Sequence, residues 1–482
     1  MRKNLNLLLA FAVCALCASG AQAGTPESAA FIDRGRSLFD FGRWTDARHE
    51  FLQARETLSP ADREAAQTVD FYLAACAVEL GSRDAEAALR RFEARYPGSV
   101  YANDVRFSLG SYYCAEGDMK RAREAFEKTD YKALGRARKE QYDVRMGYVE
   151  FTDGDYDKAF GYFDRIGPQS EYADHALYYK SYIDYAEGRY GRAKQGFTAL
   201  QRSDAYRDVV PYYLLQIEFH EGNYRYVVEN GGKLVQRAVP ERRKELERVI
   251  AESWFRLGDF NKTIEHLDAF AAAGGELDRD GSYLMGFSLY RTARYPEAAE
   301  YLRRACGAED ALTQNASYHL ADCYLRAGDK RAAMHTFAMA ADDRFDATIA
   351  EDALFNYGKL QYELGGGAFN GAINVLTRYV EQYPSSPRVG EARTLLIAAY
   401  YNSNDYDAAY RAIKSFPTQD ADIRAALQKI TYFRGLEAYN AGDMRAAQRY
   451  LAESAAINVS PKYSALNSFW QGEIAFAQGD YT

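Results

Sequence analysis

The sequence predicts an all-α solenoid, a tandem array of antiparallel helix pairs. Three observations carry that prediction. A tripeptide of Gly-Asp-aromatic type recurs along the 482 residues at separations of 34 to 39 residues. Small and large apolar residues hold fixed offsets from each tripeptide. The chain has only 11 Pro and no Ser/Gly tract, so nothing marks a flexible interdomain linker.

Composition excludes some classes at once. With 48% hydrophobic residues the chain can bury a core, so general disorder is excluded. A formal charge of −8 argues against a general nucleic-acid binder, which needs a basic patch or stripe. The length suits two to four domains or one long array.

The first element is a processing signal. Arg2 and Lys3 form a positive head, Leu5 to Ala18 an apolar core, and Ala21-Gln22-Ala23 a small-x-small cleavage site. Cys14 and Cys17 lack the preceding residues of a lipobox, which favours cleavage after Ala23 over lipidation. No later run reaches the ~20 apolar residues needed to span a bilayer. The expected organisation is a signal peptide at 1–23 and an array over 24–482. Loss of Arg2 and Lys3 takes the charge from −8 to −10.

The array follows. Its anchors are Gly42, Gly81, Gly117, Gly154, Gly188, Gly222, Gly258, Ala293, Gly328, Gly367, Asn404, Gly442 and Gly479. Two residues on stands an aromatic, as at Trp44, Tyr156, Tyr190, Phe260 and Tyr295. Five on stands Ala, as at Ala47, Ala122, Ala159 and Ala298. Nine on stands a large apolar residue, as at Phe51, Phe126, Phe163 and Leu302. Seven before stands a small residue, as at Gly35, Gly110, Gly147 and Gly286. The physics fits two helices of about 12–15 residues meeting at each anchor. Gly accepts the left-handed backbone that closes the first helix. Asp or Asn then caps the second. The small residues mark the helix crossing. One hairpin cannot bury such a face, but a stack can.

These residues resemble the tetratricopeptide repeat family over nearly all of Ala29–Thr482, as about twelve and a half repeats. Leu109-Gly110-Ser111-Tyr112-Tyr113 through Gly117-Asp118 to Ala122 and Phe126 carries the pattern. The resemblance implies a right-handed superhelix. Departures are the second repeat, which lacks the aromatic and Ala in register, the sixth, with Val227 for Ala, and the tenth, whose phase Gly365-Gly366-Gly367 blurs. The junctions Tyr96-Pro97-Gly98-Ser99 and Tyr383-Pro384-Ser385-Ser386 resemble those of bacterial envelope tetratricopeptide proteins, including outer-membrane-protein assembly lipoproteins and the periplasmic coordinator of constriction. Pro there also simply stops the second helix.

Helical phase then sorts the first-helix faces. Residues 11, 7 and 4 before each anchor should pack on the partner helix. Residues 10, 6 and 3 before it form a neighbouring face, which in this family lines the concave surface where peptides or helices lie. The expected partner-binding groove residues are Tyr148, Tyr178, Tyr182, Tyr212, Tyr283, Tyr318 and Tyr357. Tyr combines a rigid apolar body with a polar tip. The competing reading is that these rings pack between repeats, and it weighs most at the third position before the anchor, as at Phe151, Tyr185 and Phe255. The basic cluster Arg237, Arg242, Arg243, Lys244 and Arg248 reads as a solvated helix face.

Chemistry-bearing motifs are missing. The sequence holds no phosphate loop, no Gly-x-Ser-x-Gly elbow and no His-Glu-x-x-His. Neither a catalytic set nor a cofactor is expected. Cys76, Cys114, Cys306 and Cys323 are expected as buried free thiols, with a Cys306–Cys323 pair as the rival. His319 and Cys323 stand four apart, but no second pair has zinc-ligand spacing. Thr482 falls before the second helix of its repeat, so the chain reads as a fragment, or as one whose last apolar face a second subunit covers.

The leading expectation is an exported, non-catalytic envelope scaffold in the periplasm or at the outer membrane, binding a peptide segment or partner domain in its groove. No nucleic acid and no membrane span are expected. The rivals are the positioning arm of a cell-wall enzyme whose catalytic domain lies beyond residue 482, and an outer-surface glycan-capture protein.

Overall fold

The computed structural model describes residues 26–365, 370–416 and 421–479. These form twenty-five α-helices and one 3-10 turn at Tyr131–Ala133, and no strand occurs among the described residues. The all-α array is therefore as expected. The signal segment 1–23 and the anchor Gly367 lie outside the described residues.

Two compact units divide between Glu221 and Gly222, inside the sixth repeat. The first runs from the pair Pro26–Asp40 and Trp44–Thr57 to the helix Val210–His220. The second runs from Tyr224–Val235 through pairs such as Pro240–Leu257 with Phe260–Ala272 and Arg279–Arg291 with Tyr295–Ala305 to the helix Pro461–Ala477. Within each unit, helices adjacent in sequence pack on one another.

The anchors do what their chemistry dictates. Every Gly anchor among the described residues has φ between 60° and 85°, the left-handed region. Ala293 at 62° and Asn404 at 60° occupy it as well, although only Gly does so without steric cost. Asp118, Asp155, Asp259, Asp329, Asp405 and Asp443 each accept a hydrogen bond from the backbone N–H three residues on. Where Arg43 and Arg294 replace Asp, the cap bond is missing. The Arg instead pairs with Asp46 or Glu297 in the first turn.

Packing explains the offsets. The Ala five residues after the anchor is fully buried in each unit, and Val227 takes the same place. The small residue before the anchor faces the large one after it. A Cβ on Gly35, Gly110 or Gly147 would sit 2.8, 2.6 and 2.7 Å from the rings of Phe51, Phe126 and Phe163. At Gly286 and Gly435 the neighbours are Leu302 and Leu451. Burying each of these large side chains contributes about 1.5–3 kcal/mol.

Two phase departures resolve in three dimensions. In the second repeat Ala85 and Leu89, one residue early, fill the Ala and large apolar positions, both fully buried. In the tenth, Gly358 lies against Leu376. Its first helix is thus phased to Gly365 and its second to Gly367, two residues later in the sequence.

Candidate partner-binding site

The seven predicted tyrosines do not share one environment. In the first unit Tyr148, Tyr182 and Tyr212 are half-buried. Tyr178 is not. It is 8% exposed, its ring stacks on Tyr206 at 4.6 Å and 16°, and its hydroxyl donates to the Tyr213 hydroxyl at 3.3 Å. Phe71, in the same phase, stacks on Tyr101 at 4.3 Å and 9°. Phe71 and Tyr178 are thus joints between repeats, whereas Tyr212 in the same phase stays half-buried, and Tyr178 leaves the groove set. In the second unit Tyr283, Tyr318 and Tyr357 are half-buried. The Tyr318 hydroxyl donates to Asp352 at 2.6 Å, and the Tyr357 hydroxyl accepts from Gln361 at 3.2 Å. With the tenth repeat phased to Gly365, the residue ten before the anchor is the buried Phe355, so Tyr357 lies out of phase with the others.

The sequence reading overlooked the position nine before the anchor. Tyr72, Tyr179 and Tyr213 stand there and are buried. They stack nearly parallel on Phe51, Phe163 and Phe197 of the preceding repeat, at 4.8, 5.1 and 4.9 Å. Their recurrence in one phase is a signal the sequence does contain, masked by the neighbouring aromatic one residue earlier.

Between these seams the first unit carries a continuous row of half-buried rings. Tyr156 touches Phe151, Phe151 touches Tyr182 at 5.3 Å, and Tyr182 meets Tyr185 at 6.4 Å. Tyr185 meets Tyr190, which stacks on the exposed His220 at 4.8 Å. Such rings present apolar area at small entropic cost.

The second unit centres on Phe287, half-buried six residues before Ala293. Tyr283 stacks on it at 5.7 Å, and Phe255, Phe260 and His319 approach edge-on at 5.6, 5.8 and 4.8 Å. Burial pushes the Tyr283 hydroxyl up to about 12 and His319 down to about 4, so both are neutral near pH 7. His319 spends its ring on this packing. Among the described residues no group of three His, Cys, Asp or Glu could hold a metal ion. Cys306 and Cys323 are free thiols, as are Cys76 and Cys114.

A buried acid lies elsewhere in the first unit. Glu79 lines a cavity of about 10 Å³ with Ala75, Val78, Phe107, Ser108, Ser111 and Gln141. Both its carboxyl oxygens are buried without a hydrogen-bond partner. Burial pushes its pKa up to about 8, against the pull of Arg145 and Arg138. Burial likewise raises Cys76 to about 12 and Cys114 to about 11, which keeps both thiols protonated and unreactive.

The predicted junctions act as helix-start devices. Ser99 and Ser386 accept hydrogen bonds from the backbone N–H groups of Tyr101 and Arg388. Tyr96 donates to Asp70, and Tyr379 bonds Ser386 at 2.7 Å. In the basic cluster Arg248 pairs with Asp278, while Arg237 and Arg243 face solvent.

Helix pairs of this period, closed by a left-handed anchor and crossed at small residues, define a helical-repeat protein. The chain carries tetratricopeptide repeats: a model described as tetratricopeptide repeat matches residues 283–347. A second family model, YfiO, described as outer membrane lipoprotein, matches residues 349–460. Curated proteins give no match. Among solved structures, a chain of the APC/C hetero-tetramer Cut9–Hcn1 is 13% identical, covering 93% of this chain and 90% of its own, with a TM-score of 0.28. A chain of Naa15/Naa10 bound to HypK-THB is 15% identical over 86% of this chain and 66% of its own, with a TM-score of 0.31.

Proposed function

We propose that the chain is a non-catalytic protein-interaction scaffold that binds an extended peptide segment along its first-helix faces. The row of half-buried rings from Tyr156 through Tyr182 and Tyr185 to Tyr190, ending on the exposed His220, carries this reading. Contiguous aromatic surface with polar tips is what anchors a partner chain, and a few such anchors supply most of the affinity. The groove set becomes Tyr148, Tyr182 and Tyr212 in the first unit, with Tyr283 and Tyr318 in the second.

The test is the triple variant Tyr148→Ala, Tyr182→Ala, Tyr283→Ala. Titration of a peptide selected from a display library should show at least tenfold weaker binding, with helicity by circular dichroism retained. Unchanged binding would remove the groove reading. Preferential binding of a soluble polysaccharide by the native chain would favour glycan capture instead.

The proposal extends to export and an envelope role. The positive head, apolar core and Ala21-Gln22-Ala23 site support export, and the match of residues 349–460 to an outer membrane lipoprotein family supports the envelope. No helix among the described residues is long and apolar enough to cross a membrane, so any outer-membrane association proposed here is peripheral. N-terminal sequencing of the mature protein from a periplasmic extract should begin at Gly24. A retained Met1 would sink the export proposal.

A further inference from the structure

The aromatic two residues after the anchor has a fixed place in the array. In five repeats it packs on the aromatic three residues before the same anchor, at Phe151–Tyr156, Tyr185–Tyr190, Phe255–Phe260, Tyr290–Tyr295 and Tyr401–Tyr406, with ring centroids 5.5–6.1 Å apart. At three of these the following repeat covers the ring with the residue two before its own anchor. His220 stacks on Tyr190 at 4.8 Å, and the guanidinium groups of Arg291 and Arg326 lie over Phe260 and Tyr295 at 4.6 and 5.0 Å. These rings thus fill a slot between the turn of one repeat and the first helix of the next.

The second repeat has none of these parts. Val78 stands three residues before its anchor, Ser82 and Arg83 stand where the ring belongs, and Ala115 stands two before the next anchor. The slot is left as an open cavity of about 260 Å³, lined by those four residues with Gly81, Tyr112 and Glu116. A cavity of about 150 Å³ suffices to hold benzene in a protein interior, so this one has room for a phenyl, phenol or indole ring. Val78, Ala115 and the half-buried Tyr112 supply apolar walls, and Ser82, Arg83 and Glu116 supply polar groups.

We propose that this slot receives an aromatic side chain of a partner protein, which takes the place that a ring of the chain itself takes in those five repeats. That the ring comes from a partner rests on the reading of the array as a protein-binding scaffold. The slot belongs to the second and third repeats and shares no residue with the row from Tyr156 to His220. Removal of the ring from water drives its entry. Contact with the Tyr112 ring favours an aromatic group over an aliphatic one of similar size. A tyrosine suits the slot best, because its apolar body meets the walls while its hydroxyl finds polar neighbours in Ser82, Arg83 and Glu116.

The experiment follows the full chain by NMR, with carbon-13-labelled Val and Ala methyl groups, against two probes, N-acetyl-tyrosine amide and N-acetyl-leucine amide. The tyrosine probe should move the Val78 and Ala115 methyl signals saturably, as a ring current does. The leucine probe should bind about two- to tenfold more weakly, the range for an aromatic contact beyond its area. Ser82→Tyr returns a ring to the slot and should abolish the shifts of the tyrosine probe. Ala115→Phe, at an exposed position, should abolish them at Val78 as well, and it decides the matter if Ser82→Tyr distorts the turn. Silence at Val78 and Ala115, equal binding of the two probes, or shifts that persist in either folded variant would overturn the slot. The slot and the tyrosine row fail separately, since these probes report on the slot and the triple tyrosine variant reports on the row.

Discussion

The two units use one repeat and one phase, yet they spend their aromatic residues differently. In the first, the residue nine after the anchor is Phe at Phe51, Phe126, Phe163 and Phe197, and Tyr72, Tyr179 and Tyr213 stack on three of them from the next repeat. In the second, that position is mostly aliphatic, at Leu267, Leu302, Leu376, Ile413 and Leu451, all fully buried. An aliphatic seam needs no ring to cover it. Phe255, Tyr283 and Phe287 are half-buried there. In the first unit rings both seal the seam and remain half-buried, as at Phe151 and Tyr182, whereas in the second most seams are sealed by aliphatic side chains.

That comparison breaks first at Tyr213. Tyr213→Ala should cost about 3–5 kcal/mol, the range for truncating a buried aromatic, because the ring is buried and stacked on Phe197. Phe287→Ala, at a half-buried ring, should cost clearly less. Urea unfolding followed by circular dichroism measures both, and equal losses would dissolve the distinction between sealing and half-buried rings.

The buried acid of the first unit comes next. Because the Glu79 pKa is raised from 4.5 to about 8, the folded state binds the extra proton. Its stabilising contribution is fully present below about pH 4.5 and is lost as pH rises through about 8, on the order of a few kcal/mol. Glu79→Gln should remove that part of the pH dependence. A variant with the native pH profile between 5 and 9 would show that the carboxyl is solvated.

A smaller effect tests the crossing in the second unit. Gly286→Ala places a Cβ 2.9 Å from the backbone N of Leu302, which cannot swing aside, and should cost about 1–3 kcal/mol. Gly110→Ala in the first unit meets only the Phe126 ring, which can turn, and should cost less. A reversal of this order, read from thermal midpoints, would mean that rings are the stiffer partner. The smallest effect is a gain. Ala293→Gly relieves a side chain held at φ 62° and should stabilise by about 1 kcal/mol. An unchanged melting temperature would place that strain elsewhere.

Much of this was legible in the chain itself. The phase alone assigned Ala293 and Asn404 to helix-closing anchors, although neither is Gly, and both adopt the left-handed backbone. The Asp after the anchor identified six helix caps. The candidate groove was legible only in part. Tyr148, Tyr182 and Tyr283 lie half-buried, but Tyr178 is consumed in a joint, and Tyr357 is in phase with Gly367 while its helix is phased to Gly365. Glu79 carried no mark in the sequence, where it is one acid among 68. Its isolation arises from Phe107, Ser111 and Gln141, which come from the next helices.

The sequence by itself determined the period, the closing turns and the pairing of small with large residues at each crossing. Those depend on backbone conformation and on contacts within about twenty residues, which a repeating pattern records directly. Only the tertiary structure decided which aromatic seals a seam and which stays at the surface, and which arginine keeps a counter-ion. Those outcomes depend on what the next repeat brings against each side chain. One helix face offers several neighbouring positions within a few ångströms, and the crossing of two helices chooses among them.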